Sequence, residues 1–339
     1  MSGLRELLET VLGGTALDEE QAASVLRALT DPALPPAVAG AMLAALRAKG
    51  VTADEVRGFA RAMRELARRP QIGSVSGAID IVGTGGDASS SVNISTGTAL
   101  LVAACGVPVI KHGNRSISSR SGSADVLEQL GLKLPLDESA SAACLASTGF
   151  TFLFAPHYHP AMKAIAPVRQ ALGVRTVFNI LGPLTNPAEP PFHLIGAFSL
   201  EVAELMAQTL AGMQIHRAFV THGLNGWDEP TPIAPFVLFD VAAGQVQRGQ
   251  RSAADYGLSA CDAAALAGGD AAFNAAALRA VLRGEDRGAH RDTLLLGAAL
   301  ALEVSGAVTE GRAGVARAAQ VIADGTAARF LDRLAAFQA

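Results

Sequence analysis

Residues able to do chemistry concentrate between positions 79 and 125, IDIVGTGGDASSSVNISTGTALLVAACGVPVIKHGNRSISSRSGSAD. The turn Gly83-Thr84-Gly85-Gly86-Asp87 places three glycines in four positions, so backbone N–H groups there can approach a ligand with no Cβ in the way. Ser89, Ser90, Ser91, Asn93, Ser95 and Thr96 follow with hydroxyls and an amide. A second group, Lys111-His112-Gly113-Asn114-Arg115, opens a serine-rich loop that runs to Ser123. No acid stands between Asp87 and Asp125, whereas Lys111, Arg115 and Arg120 do. Glycine amides, hydroxyls and cations with acids excluded are what a multiply phosphorylated ligand needs. Either loop alone reads as an ordinary polar turn; two in one compact stretch point to an anion site.

The elements that position these loops are short. Ile79–Val82, apolar except for Asp80, reads as a strand that breaks into the glycines. Ala99–Cys105 reads as a helix whose N-terminus lies just after Asn93-Ile94-Ser95-Thr96, where free N–H groups and the helix dipole favour an anion. Val107–Ile110 reads as a second strand that delivers Lys111 and its neighbours. Both loops therefore leave the carboxyl ends of strands, the ligand-binding side of an open α/β sheet. Two familiar phosphate motifs are excluded. G-x-x-x-x-G-K-[ST] does not occur. Gly83-x-Gly85-x-x-Ala88 fits a loose dinucleotide fingerprint, but the acid expected about twenty residues on is missing.

Further along, the expected strand Ala218–Thr221 runs into His222-Gly223-Leu224-Asn225-Gly226-Trp227-Asp228-Glu229-Pro230. Adjacent carboxylates there are a polar turn or, beside a diphosphate, ligands for Mg²⁺, a hard cation that takes few carboxylates plus substrate oxygens. Arg169 reads as a cation closing a helix end. His157 and His159 have no third ligand at a suitable spacing, which argues against zinc.

GTGGD, NIST, KHGNRSISSRSGSADVLEQLG and HPAMKAIAPVRQALGVRTVFNILGPLTNP together resemble the anthranilate phosphoribosyltransferases of tryptophan biosynthesis, nearly continuously from about 79 to 187. The resemblance implies transfer of a phosphoribosyl group from 5-phosphoribosyl-1-diphosphate to anthranilate. It assigns the donor to Gly83, Gly86, Asp87, Ser91, Asn93, Ile94, Ser95, Thr96, Lys111, His112, Gly113, Asn114, Arg115, Ser116, Ile117, Ser118, Ser119 and Ser123. Anthranilate falls to Gly83, Asn114, His159 and Arg169, the last with a planar fork suited to a carboxylate. Mg²⁺ falls to Ser95, Asp228 and Glu229. No general base is assigned: an arylamine already carries its lone pair at neutral pH. The resemblance also implies a homodimer formed through a helical domain. His222, the inserted Asn225-Gly226-Trp227, and Gly297, where the family commonly has asparagine, depart from its pattern. Two alternatives remain at this point, a pyrimidine nucleoside phosphorylase-like enzyme and a non-catalytic nucleic-acid-binding relative. Asn114 and Arg169 speak against the first. The intact GTGGD and Asp-Glu motifs and a net charge of −4 speak against the second.

The chain has 339 residues, half of them hydrophobic, with aromatics only 5%, enough for a sizeable aliphatic core in one large domain or two unequal ones. Cys105, Cys144 and Cys261, odd in number and far apart, suit buried thiols in a reducing cytoplasm. No signal peptide opens the chain, and the uncharged run Thr293–Leu302 is too short to span a membrane. Neither nucleic acid nor membrane is expected as a partner. Residues 1–72 read as four helices: an apolar face at Leu4, Leu7, Leu8 and Val11; a cap at Asp18 and Gln21; Pro35-Pro36 before a third helix closed by Gly50; and a cap at Thr52 and Glu55. The arginines of the fourth, Arg57, Arg61, Arg64, Arg68 and Arg69, read as a solvated flank shared with Glu55 and Glu65. Gly73–Gly77 is a small-residue linker. Strands and helices then alternate, predicting a large α/β domain, 73–339, with a largely parallel sheet covered by helices. The resemblance adds that a segment at about 165–185 returns to the helical domain, 1–72.

Overall fold

A computed structural model of the chain describes residues 2–87, 89–116 and 120–338. Four helices open it: α1 (Ser2–Leu12), α2 (Glu19–Leu29), α3 (Pro36–Lys49) and α4 (Ala53–Glu65). Asp18 with Gln21 and Thr52 with Glu55 form reciprocal caps on α2 and α4, each satisfying two orphan amides. Pro36 stands in the first turn of α3, and Gly50 ends it at φ 82°, a value that side chains disfavour. Glu55 corrects the expectation of a solvated flank. Its carboxylate is fully buried, accepts from Leu17 N and Thr52 N at 2.9 Å, and pairs with Lys49 Nζ at 2.9 Å. Acids engage the arginines: Arg57 meets Glu19 and Asp54, Arg61 meets Glu20, and Arg64 and Arg69 meet Glu189.

The α/β part runs β1 (Ile79–Gly83), α5 (Ile94–Ala104), β2 (Val109–Gly113), α6 (Ser123–Gln129), α7 (Glu138–Thr148) and β3 (Phe150–Phe154). Three short helices follow, α8 (Ala155–Tyr158), α9 (Met162–Leu172) and α10 (Phe178–Leu181), and then β4 (Phe192–Gly196), α11 (Leu200–Ala211) and β5 (Arg217–Gly223). The hairpin β6 (Phe236–Ala242) and β7 (Gln245–Arg251) turns at Ala243-Gly244. Helices α12 (Ala271–Leu282), α13 (Ala289–Val304), α14 (Gly311–Ala323) and α15 (Thr326–Ala335) complete the chain. The sheet order is β3-β2-β1-β4-β5-β6-β7, parallel from β3 to β5 and antiparallel beyond. The second strand begins two residues later than expected and extends through Gly113. Pro108 lacks an amide, and it is the pairing of Val109–Gly113 with β3 that defines the strand. Lys111 and His112 are therefore buried strand residues, not loop residues.

Alternation in β4–β6 makes two cores, because successive side chains face opposite sides of a sheet. Leu194, Phe219 and Leu238 face α5, α12 and α13. Ile195, Val220, Val237 and Phe239 face the other way and join the buried residues of α2, α3, α4 and α11. The helical N-terminal layer thus shares a core with one face of the sheet, and Ile165, Phe178, Ile180 and Leu181 of the α9–α10 segment enter it too. On the opposite face, a Cβ at Gly297 would lie 2.5 Å from Thr98 Oγ1. Glycine at 297 is what lets α13 approach α5 with threonine at 98. Among the described residues no helix is long and apolar enough to cross a membrane.

Burial sets two expectations for stability. A Cβ on Gly58 would stand 2.1 Å from Glu19 O, at the α2–α4 contact. Gly58→Ala gains about 1 kcal/mol of helix propensity but overpacks the contact at a cost of roughly 1–3 kcal/mol, so a lower melting temperature is expected in thermal unfolding. Burial pushes His112 and His193 down to about 3 and His159 to about 4. With folded values below the unfolded 6.5, the stability these rings contribute is complete above that pH and is lost as pH falls towards 3–4. Each ring costs about 1.4 kcal/mol per pH unit across that window. Urea midpoints should drop between pH 7 and 5, and His193→Gln should flatten the slope.

Candidate active site

Strand order reverses beside β1: β2 and β3 lie on one side, β4 and β5 on the other. Crevices at the carboxyl ends of strands at such a point receive ligands. Asp228, 6% exposed, fills this one. A Cβ on Gly83, at the end of β1, would lie 2.5 Å from Asp228 Oδ2. On Gly196, at the end of β4, it would lie 1.6 Å from the Asp228 carbonyl oxygen. Only with glycine on both strands can the acidic loop enter. Asp228 Oδ2 accepts from Gly85 N at 2.7 Å, and Asp228 N donates to Asp87 Oδ2 at 3.2 Å. The departures His222 and Asn225-Gly226-Trp227 form a closed turn that preserves this placement. Gly223 N donates to Trp227 O at 2.9 Å, Gly226 N to Gly223 O at 2.8 Å, and the His222 ring meets Ala197 O at 2.8 Å.

Glu229 points to the first turn of α5, where its Oε1 accepts from Ser95 N at 3.1 Å. The anion satisfying this helix end in the structure is thus the chain's own carboxylate. Burial and the neighbouring Glu229 and Asp87 hold Asp228 well above the usual carboxylate range. Burial raises Glu229 to about 7, Lys111 opposing and Asp87 adding to the rise. Lys111, fully buried, donates to Ile81 O and lies 3.4 Å from Ser95 Oγ. Burial lowers its own value while Asp80 and Glu229 support the charged form. Crowded carboxylates beside a serine hydroxyl are an oxygen-only donor set short of positive charge, and a hard divalent cation fits it.

Asn93, before α5, is held by residues outside the expected set. Its Oδ1 accepts from Ser121 Oγ and from buried Asn274 Nδ2, both at 2.8 Å. Asp80 Oδ2 accepts from Asn186 Nδ2 at 2.9 Å, and the same nitrogen donates to Ile110 O at 2.8 Å, tying β1 to β2. A lone acid in an apolar strand and an asparagine between threonine and proline were the available signals. Gly196 was hidden because β4, an apolar run interrupted by His193 and preceded by Pro190-Pro191, does not stand out by alternation.

Arg115 is paired within its own loop region. Its guanidinium binds Glu128 through two bonds, 2.5 and 2.6 Å, and Asp125 at 2.9 Å; α6 supplies acids that lie beyond the acid-free stretch. Ser123 Oγ donates to Asn114 O at 3.1 Å, and exposed Asn114 accepts from Arg115 N at 2.7 Å. Ser116, Gly113 and Ser91 line the same loops; Ile117, Ser118 and Ser119 lie outside the described residues. The His112 and His159 rings meet edge to face at 5.0 Å, and His112 Nδ1 lies 3.2 Å from Gly182 O. Arg169, on α9, lies over the Phe178 ring at 5.0 Å. It is half-buried, and among the described residues no acid pairs with it. A desolvated guanidinium without a carboxylate of its own can pair with one from outside the chain.

The helical bundle domain of a glycosyl transferase family matches residues 5–67, and the a/b domain of that family matches 76–328. Fold and site thus define a two-part glycosyl transferase. An anthranilate phosphoribosyltransferase of Methylobacterium nodulans is 46% identical over 99% of each chain, and one of Desulforudis audaxviator is 44% identical over 98% of this chain and 96% of its own. The crystal structure of the Thermus thermophilus anthranilate phosphoribosyltransferase superposes with a TM-score of 0.91 at 40% identity, covering 97% of this chain and 98% of that one. The Saccharomyces cerevisiae enzyme in complex with PRPP and Mg gives 0.89 at 25% identity, covering 99% and 97%. The chain belongs to the anthranilate phosphoribosyltransferase family.

Gly196→Ala tests the crevice. The added Cβ must displace the Asp228 backbone, so turnover should fall on the order of a hundredfold or more, as when a charge-stabilising group is lost. Steady-state rates beside circular dichroism, which should report a folded protein, check this.

Proposed function

We propose that the chain transfers the phosphoribosyl group of 5-phosphoribosyl-1-diphosphate to the amine of anthranilate. The products are N-(5-phosphoribosyl)anthranilate and diphosphate, a step of tryptophan biosynthesis. One observation carries the reading: an amide- and acid-lined crevice at the β1–β4 reversal lies in the same fold as a half-buried guanidinium with no acid of its own. Full-length relatives bearing this name support it, and the yeast complex with PRPP and Mg supports both the donor and Mg²⁺.

In this reading Gly83, Gly86, Asp87, Ser91 and Asn93–Thr96 cradle the diphosphate and ribose, while Lys111 to Ser119, from the end of β2 onward, and Ser123 bind the phosphates. Ser95, Asp228 and Glu229 hold Mg²⁺, which when bound supplies positive charge to the diphosphate oxygens. Arg169 takes the anthranilate carboxylate with its fork, and Gly83, Asn114 and His159 border the ring. Held there, the amine lone pair attacks the anomeric carbon as the carbon–oxygen bond to diphosphate breaks and its electrons leave with the diphosphate. The nitrogen, now acidic, releases its proton to water or diphosphate. Positioning and charge stabilisation carry the rate.

Residues 1–72 act as a small helical domain and 73–339 as the donor-binding domain, with about 165–185 returning to the first; the shared packing of α3 and α9 supports this. An apolar cleft of about 610 Å³ lined by Leu34, Ala37, Val168 and Leu172 supports a homodimer formed through the helical domain. The free thiols of Cys105, Cys144 and Cys261 support a cytoplasmic location.

Loss of anthranilate fluorescence on adding donor and Mg²⁺ is the decisive assay; a steady signal sinks the proposal. Asp228→Asn with Glu229→Gln should lower turnover on the order of a hundredfold at limiting Mg²⁺. Arg169→Ala should raise the KM for anthranilate far more than that for the donor; equal effects would remove Arg169 from the acceptor site.

A further inference from the structure

The glycine turn after β1 is tethered residue by residue. Thr84 N donates to Gly196 O at 2.9 Å, and Thr84 Oγ1 accepts from Phe198 N at 3.1 Å. Gly85 N and Asp87 are bound by Asp228 and its backbone. The Gly86 carbonyl is met from elsewhere: the guanidinium of Arg175 donates to it through one terminal nitrogen. Gly86 itself sits at φ 79°, and a Cβ there would lie 3.3 Å from that nitrogen. Arg175 belongs to the connection between α9 and α10. Its guanidinium lies over the Phe198 ring at 4.1 Å, and Phe198 is the residue whose amide holds Thr84. Its carbonyl accepts from Arg47 Nη1 of α3 at 2.8 Å. One exposed residue therefore touches the turn, the strand end behind it and the helical domain.

We infer that Arg175 is a positioning residue: a latch that sets the Gly83–Asp87 turn for the donor's diphosphate and ties that turn to the segment bearing Arg169 and to α3. The inference rests on the reading of the turn as a diphosphate cradle. The geometry divides the labour. Asp228 accepts from the Gly85 amide and Arg175 donates to the Gly86 carbonyl, so the intervening peptide is held from both ends. A planar guanidinium suits the Gly86 contact because it can donate in its plane while its face lies on Phe198. A lysine can do the first and not the second. Because Arg47 grips the main chain of Arg175, movement of α3 relative to the sheet is transmitted to the turn through one side chain.

The test uses the full-length protein. Donor binding is measured by calorimetry with Mg²⁺, and hydrogen exchange is followed at residues 83–87. Wild type must bind the donor; if it does not, the diphosphate reading fails, independently of the latch. Given that binding, Arg175→Ala should weaken donor affinity roughly five- to twentyfold, as expected for loss of an exposed charge-assisted hydrogen bond and its stacking. Exchange at 83–87 should quicken without a shift in the melting temperature, and the KM for the donor should rise more than that for anthranilate. Arg175→Lys should recover part of the affinity, and Arg47→Ala should shift it the same way by less. Unchanged donor affinity and exchange in Arg175→Ala, or equal rises in both KM values, would overturn the inference.

Discussion

The site depends on a steric allowance between two parallel strands. Asp228 occupies the gap between the ends of β1 and β4, and glycine at 83 and 196 is what leaves that gap open. The pairing of Gly83 with Gly196 across the ladder means that the two missing side chains face one opening. Parallel strands are about 4.8 Å apart, so a side chain on either would close it. Once admitted, the Asp228 loop takes hydrogen bonds from the glycine turn that the same opening exposes. Strand pairing, glycine placement and the acidic loop form one arrangement, and none of them is explicable without the others.

Charge is the second constraint, and it works against the first. Burying Asp228 beside Glu229 and Asp87 costs free energy, because both neighbours add to the effect of burial on Asp228 and Asp87 adds to it on Glu229. Lys111 offsets part of it from beneath, and Asp80 supports Lys111 from the next strand. Such an interior is poorly stabilised for its own sake. It is suited to receiving a cation and a polyanion together, when acids, metal charge and phosphate charge are mutually compensated. Arg115 shows the converse: its charge is paired with Asp125 and Glu128, which ties the second loop to α6.

The fold was legible where local chemistry is strong. Caps at Asp18 and Thr52 and the glycine stop at Gly50 mark helices because each satisfies amides or relieves backbone strain near its own position. β4 was not legible: its pairing with β1 and β5 is non-local, and His193 breaks the apolar pattern only because the fold buries a neutral ring. The site was readable to the same depth. GTGGD, NIST, KHGN and the Asp-Glu pair announce themselves through composition. Asn274, Asn186 and Arg175 do not, since single polar residues acquire meaning only from what the fold brings to them, 181, 106 and 89 positions away.

The α9–α10 segment ties together parts of the crevice that come from distant stretches of the chain. Its apolar residues Ile165, Phe178, Ile180 and Leu181 are buried in the core shared by the helical layer and the sheet. Its polar contacts run to the donor side, His112 to Gly182 and Arg175 to Gly86. Arg169 precedes both contacts on the same segment, with its guanidinium over the Phe178 ring. A reaction that needs no strong base and relies on placing an amine near an anomeric carbon loses rate steeply with small misplacement. Contacts from Arg175 to the turn after β1 and from Gly182 to His112 of β2 hold the segment bearing Arg169 against the sheet more closely than the packing of two domains alone would.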